Sequence, residues 1–161
     1  MIPVTRIRTY YYKGVTGDTI LATTRGFIPI SELEGQTPTV FSLSEDERFT
    51  VKQTAGPVIK TPGLAQPITI RCSNNVNITC SQTQWFKTDG KYCWKRAKDI
   101  KINDILIVLA NGRSGAWTGQ RYKVLGIELT PNRDYLYTME VPETNNFIAN
   151  NFVLYHNEEV Y

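Results

Sequence analysis

Gly14-Val15-Thr16-Gly17-Asp18-Thr19-Ile20-Leu21, followed by Gly26-Phe27-Ile28-Pro29-Ile30, is the stretch on which the fold turns. Gly17-Asp18 and Arg25-Gly26 are turn signals. The same punctuation runs outward along the chain, at Glu34-Gly35, Thr61-Pro62-Gly63, Ser73-Asn74-Asn75, Asp89-Gly90, Asn103-Asp104 and Pro131-Asn132. Between these turns lie short runs rich in Val, Ile, Thr, Tyr and Phe. They predict strands over Thr39–Leu43, Ile68–Cys72, Asn77–Cys80, Ile105–Leu109, Tyr122–Leu129 and Leu136–Val141. Val4–Tyr10 alternates polar and apolar residues and reads as a further strand. No window carries a long apolar stripe at helical spacing. Single helical turns are expected only over Ser31–Glu34 and Trp94–Ile100, and residues 110–121 read as a surface loop. The class is all-β.

A length of 161 residues predicts one domain with a core of its own. With 41% hydrophobic and 20% charged residues, the composition is that of a globular chain and excludes a disordered one. No apolar run approaches the roughly 18–20 residues that span a bilayer, and the N-terminus lacks a signal-peptide core. A soluble, cytoplasmic protein with no membrane partner is expected. The net charge is only +3. The densest basic stretch, Lys87, Lys91, Lys95, Arg96, Lys98 and Lys101, is interrupted by Asp89, Asp99 and Asp104 and reads as a solvated sheet face. Cys72, Cys80 and Cys93 make a poor disulfide framework, and with a single histidine they make a poor zinc set; buried free thiols are expected. No metal or other cofactor is implied.

Three ordered patches resemble the Hint fold shared by inteins and hedgehog-type autoprocessing domains. The first is Gly14–Leu21 with Gly26–Ile30. The second is Ile78–Thr88, followed by Trp94-Lys95-Arg96-Ala97 and Asn103-Asp104. The third is Leu136–Val141, Asn145–Asn150 and Phe152–Asn157, which closes on His156-Asn157. Together they span about nine-tenths of the chain, from Gly14 to Asn157. The resemblance implies a pseudo-two-fold horseshoe of curved strands without an endonuclease insert. It also implies that the two chain junctions meet near the centre. The organisation would be a flanking strand over 1–13, the Hint-like domain over 14–157 and a short flank over 158–161.

The reactive positions depart from the family pattern. Splicing in the family begins with a Cys or Ser nucleophile at the first position. The matching residue here is Gly14, and the Thr16 hydroxyl lies two residues further on. The family's second block supplies a histidine that protonates the leaving nitrogen, because imidazole titrates near neutrality. Gln84 occupies that position, and an amide cannot exchange a proton there. Ser81 stands where the family often has Thr. Thr138 and Asn145 replace an Asp and a His with neutral hydrogen-bonders. His156 and Asn157 survive, the pair that in the family carries out Asn cyclisation. The acceptor position after them is Glu158 rather than Cys, Ser or Thr. Asn103 replaces a turn glycine, a substitution tolerated in the left-handed region.

Scaffold motifs kept and reactive residues lost point to a catalytically dead module that binds other protein subunits or copies of itself. A phage or viral particle is a setting that fits, which would place it in the virion or the host cytoplasm. Two other readings follow from particular residues. His156 and Asn157 favour residual self-cleavage. Tyr10-Tyr11-Tyr12-Lys13 with Arg6 and Arg8 resembles a nucleic-acid stacking platform, but the modest, acid-diluted charge argues against a nucleic-acid partner.

Overall fold

A computed structural model describes residues 13–111 and 117–155. Its strands, in chain order, are β1 (Ile20–Thr23), β2 (Gly26–Pro29), β3 (Thr39–Leu43), β4 (Thr50–Thr54), β5 (Ile59–Lys60), β6 (Ile68–Cys72) and β7 (Asn77–Cys80). They continue as β8 (Trp85–Lys87), β9 (Trp94–Arg96), β10 (Ile105–Asn111), β11 (Trp117–Leu129), β12 (Tyr137–Thr138), β13 (Asn146–Ala149) and β14 (Phe152–Tyr155). Short 3-10 turns cover Ile30–Leu33, Ser73–Asn75 and Ala97–Asp99. The main sheet runs β4-β3-β1-β13-β14-β10-β11-β6-β7, with β2 on β1, β8 on β14 and β9 on β8. β12 and β5 form a separate pair.

The hairpin β13–β14 sits at the centre, and its sequence explains why. Every residue of β13 and the first three of β14 are buried. Side chains alternate between two faces along a strand, so such a run must be covered on both. Phe147, Ala149, Phe152 and Leu154 enter the large core with Leu21, Ile70, Phe86 and Leu106. Ile148 and Val153 point the other way, into a smaller cluster with Leu43 and Leu109 over which Phe41, Trp94 and Trp117 pack. The turn between the two strands is Asn150-Asn151, both left-handed at φ 48° and 71°, as a two-residue hairpin loop requires. The Asn150 side chain accepts the Ile20 N–H at 2.8 Å and donates to Asn77 O at 2.9 Å, tying the turn to two other elements.

Several sequence expectations need correction. Leu136–Val141 forms a strand only at Tyr137–Thr138. Met139 and Val141 are buried in the core outside the ladder, and Glu140 O accepts the Gly56 N–H at 2.8 Å. Trp94–Ile100 is not one helical turn; β9 precedes a 3-10 turn. Residues 117–121 belong to a 13-residue strand rather than a loop, held by pairing to β10 and by the Trp117 ring against Phe41 at 5.1 Å. Cys72 and Cys80 are buried, whereas Cys93 is exposed. Lys87 is not on a solvated face: its side chain is 6% exposed and paired with Glu47. Asn103 is left-handed, with φ 80°. The strand expected over Val4–Tyr10 lies outside the described residues.

Candidate functional site

The segment after Gly14 is the seam between the two sheets. Val15 bridges Cys80 at the end of β7 on one side and Tyr137 of β12 on the other. Val15 N–H donates to Tyr137 O at 3.0 Å, Tyr137 N–H returns to Val15 O at 2.8 Å, and Thr16 N–H donates to Thr79 O at 3.1 Å. Pairing on both sides fixes the path of the chain at Gly14.

That path leaves no room for a side chain at Gly14. Its φ is +121°, a conformation that L residues rarely adopt. A Cβ built there would lie 2.8 Å from the Tyr137 carbonyl carbon and closer still to its oxygen. The position where the resemblance calls for a nucleophile is therefore sealed by backbone as well as lacking a thiol or hydroxyl. Thr16 does not replace it. Its hydroxyl donates to Asp18 Oδ1 at 2.7 Å and lies 3.3 Å from Thr79 O.

Gln84 is 2% exposed and spans the seam. Its Oε1 accepts the Gly14 N–H at 3.1 Å. Its Nε2 donates to Tyr155 O at 3.0 Å and to Trp85 O at 3.2 Å. One neutral side chain thus ties the Lys13–Gly14 peptide to Tyr155, the last described residue of β14. Every polar atom of the amide has a backbone partner, which is what a buried amide needs to avoid a desolvation loss. The turn at Ser81 holds the next peptide, Gly14–Val15, by its carbonyl. Ser81 N–H donates to Gly14 O at 2.9 Å, Gln84 N–H donates to Ser81 O at 3.1 Å, and Ser81 Oγ accepts the Thr83 N–H at 3.1 Å. Tyr155 is held by its ring too, 5.1 Å from Trp94.

The remaining positions singled out from sequence divide. Gly14, Ser81 and Gln84 come together, with Gln84 on the Gly14 N–H and Ser81 on the Gly14 carbonyl. Thr138 is buried at 8% exposure on β12, next to Tyr137. Asn145 is exposed and left-handed at φ 58°, in the turn before β13, and its N–H donates to Val141 O at 2.8 Å. The residue after it carries the buried network. Asn146 is 3% exposed, its Oδ1 accepts the Leu43 N–H at 2.7 Å, and its Nδ2 donates to Leu43 O at 2.8 Å, as a peptide group would. His156, Asn157 and Glu158 lie outside the described residues.

Sequence reasoning missed Tyr137, because its part is played by backbone and no side-chain signal marks it. It also missed the Lys87–Glu47 pair, at 3.0 Å with side chains only 6% and 8% exposed. The two buried thiols offer no substitute nucleophile. Burial pushes Cys72 up to about 11 and raises Cys80 further, so both stay protonated at neutral pH.

No protein-family model matches the chain, and no curated protein matches it. Solved structures do. The chain is similar to the Ssp DnaB mini-intein variant M86, with TM-score 0.82 and 16% identity over 92% of this chain and 96% of that one. It is similar to the DnaX mini intein from Spirulina platensis, with TM-score 0.74 and 24% identity over 89% and 98%. It is also similar to the gp41-1 intein, with TM-score 0.67 and 22% identity over 91% and 99%. The chain has the Hint fold of these mini-inteins, mostly β and with no endonuclease insert. Among the described residues, no helix is long and apolar enough to cross a membrane.

Proposed function

We propose that this is a Hint-fold domain that does not splice and serves as a structural or protein-interaction module, working among other protein subunits or copies of itself. The observation that carries this reading is Gly14. Its backbone conformation and its closeness to the Tyr137 carbonyl exclude the side chain that an acyl shift would need. Gln84 supports it, because the amide braces the entering peptide and cannot transfer a proton to it. A role inside a phage or viral particle belongs to the same proposal and rests on the kept scaffold with its lost reactive groups. The direct test places the full chain between two soluble reporter proteins. Mass spectrometry should find only the intact fusion. A ligated reporter pair, or a reporter released at Gly14, would contradict the reading.

Asn cyclisation at Asn157 is the competing outcome. The Gln84 contact to Tyr155 O favours keeping it in view, since it fixes the strand that leads to His156 and Asn157. Release of the C-terminal reporter alone would support it, provided that Asn157→Ala abolishes the release.

A further inference from the structure

At Lys87, the last residue of β8 and three residues on from Gln84, two loops are locked together by a buried ion pair. Glu47, in the β3–β4 loop, accepts Lys87 Nζ at 3.0 Å and the Tyr92 N–H at 2.8 Å on the same oxygen. Lys87 also donates to Gly90 O, so its ammonium binds both loops. Glu47 and Tyr92 are each left-handed at φ 61°, an unfavourable backbone that the pair holds in place. Beyond the clasp the loops present two exposed rings, Phe49 at 60% and Tyr92 at 59%. Each ring has its neighbouring cation over it, Arg48 at 5.6 Å from Phe49 and Lys91 at 5.1 Å from Tyr92.

A cleft of about 780 Å³ opens beside Phe49, with Leu43, Ile107, Leu109 and Trp117 as its apolar lining. The charges at its mouth are unequal. The Glu47 carboxylate is neutralised by Lys87. Asp46 is engaged by Ser44 Oγ at 2.7 Å and by the Arg48 N–H at 3.2 Å, contacts that hold its carboxyl below the usual range, and it feels both Arg48 and Lys91. Two cations therefore face one already bonded carboxylate. Glu45, on the same loop, is exposed and does not line the cleft. Exposed aromatics beside an apolar pocket, one of them with an arginine over its ring, are the makings of a protein-binding hot spot. The acids on the 44–47 loop oppose a polyphosphate backbone.

We propose that this cleft docks an extended segment of a partner protein, through a large apolar side chain in the pocket and an adjacent carboxylate between Arg48 and Lys91. The inference rests on the interaction-module reading and names its surface. The test pans a phage-displayed library of random dodecapeptides against the full chain, then titrates the enriched peptide into isotope-labelled protein by NMR. Enrichment should favour Asp or Glu beside Leu, Ile, Phe or Trp, and amide shifts should cluster in residues 44–50, 87–93 and 117–119. Affinity should fall about tenfold or more in Arg48→Glu/Lys91→Glu, whose substituted residues are exposed. Phe49→Ala should weaken binding as well. Lack of enrichment, enrichment of basic sequences, shifts elsewhere, or undiminished affinity of the charge-reversed variant would overturn the proposal. Binding of a thymidine oligonucleotide at the same amides would overturn it in favour of nucleic acid. A ligated product in the fusion assay would sink the non-splicing reading without moving any of these readouts.

Discussion

Gln84 and Lys87 stand three residues apart, and both are buried polar side chains that tie distant segments together. They do so by different chemistry. Gln84 is neutral and bonds only to backbone, at Gly14, Trp85 and Tyr155. Lys87 is charged and needs the Glu47 carboxylate opposite it. The seam has an amide where the resemblance calls for a proton carrier, while a loop clasp three residues further along the chain keeps a buried ion pair. Charge at Lys87 therefore holds structure, while the neutral amide of Gln84 holds the seam without a group that exchanges a proton near neutral pH. The difference also sets how each tie fails. A neutral amide can be lost for the cost of its hydrogen bonds, whereas half of an ion pair leaves a stranded charge.

The contrast is broken most severely at the clasp. Lys87→Met leaves Glu47 buried without its cation and should destabilise the chain by about 3–5 kcal/mol. Thermal unfolding should show it as a drop of about 10 °C or more. Adding Glu47→Gln should recover much of the loss; a double variant as unstable as the single one would mean that the charge pair is not the cause.

Gly14→Ala comes next. It forces a Cβ toward the Tyr137 carbonyl in a left-handed backbone, and about 3 kcal/mol is expected from strain and displacement together. Unfolding in urea measures it. A variant as stable as the parent would show that the seam can open, and a nucleophile at that position would then be admissible.

Gln84→Ala should cost about 2 kcal/mol, because it strands the Gly14 N–H and the Tyr155 carbonyl. Faster hydrogen exchange at Gly14 should accompany it. Unchanged exchange would mean that Gln84 does not brace the seam.

The smallest effect sharpens the comparison without a mutation. A thiol reagent at pH 8 should modify Cys93 alone in the folded chain and all three cysteines in denaturant. Burial raises Cys72 to about 11, which leaves only about one thiol in a thousand ionised at that pH. Rapid labelling of Cys72 or Cys80 in the native protein would show that the β6–β7 layer is not closed.

Much of this was legible in the sequence, for physical reasons. β3, β6 and β7 fall on the residue ranges that composition and turn punctuation predict, because each run is bounded by turn residues and carries β-branched side chains. The strand over Trp117–Arg121 was hidden behind Gly, Gln and Thr, since pairing with β10 and the Trp117–Phe41 contact decide it. Gly14, Ser81 and Gln84 could be placed by their positions in the motifs. Their geometry could not, because Gly14 is sealed by the carbonyl of Tyr137, whose sequence distance gives no hint of contact. The Glu47–Lys87 clasp was illegible for the same reason: the lysine sits in a basic stretch that reads as solvated, and only the tertiary fold delivers its acid.

We propose that the seam is held and chemically inert. Native mass spectrometry of the unaltered chain after prolonged incubation at neutral pH tests it most directly, because it reads covalent mass and assembly state together. The account predicts a single full-length species of 161 residues, as a defined oligomer or complex. A shortened species lacking residues 158–161 would contradict it, and would mean that the chemistry at His156 and Asn157 still runs.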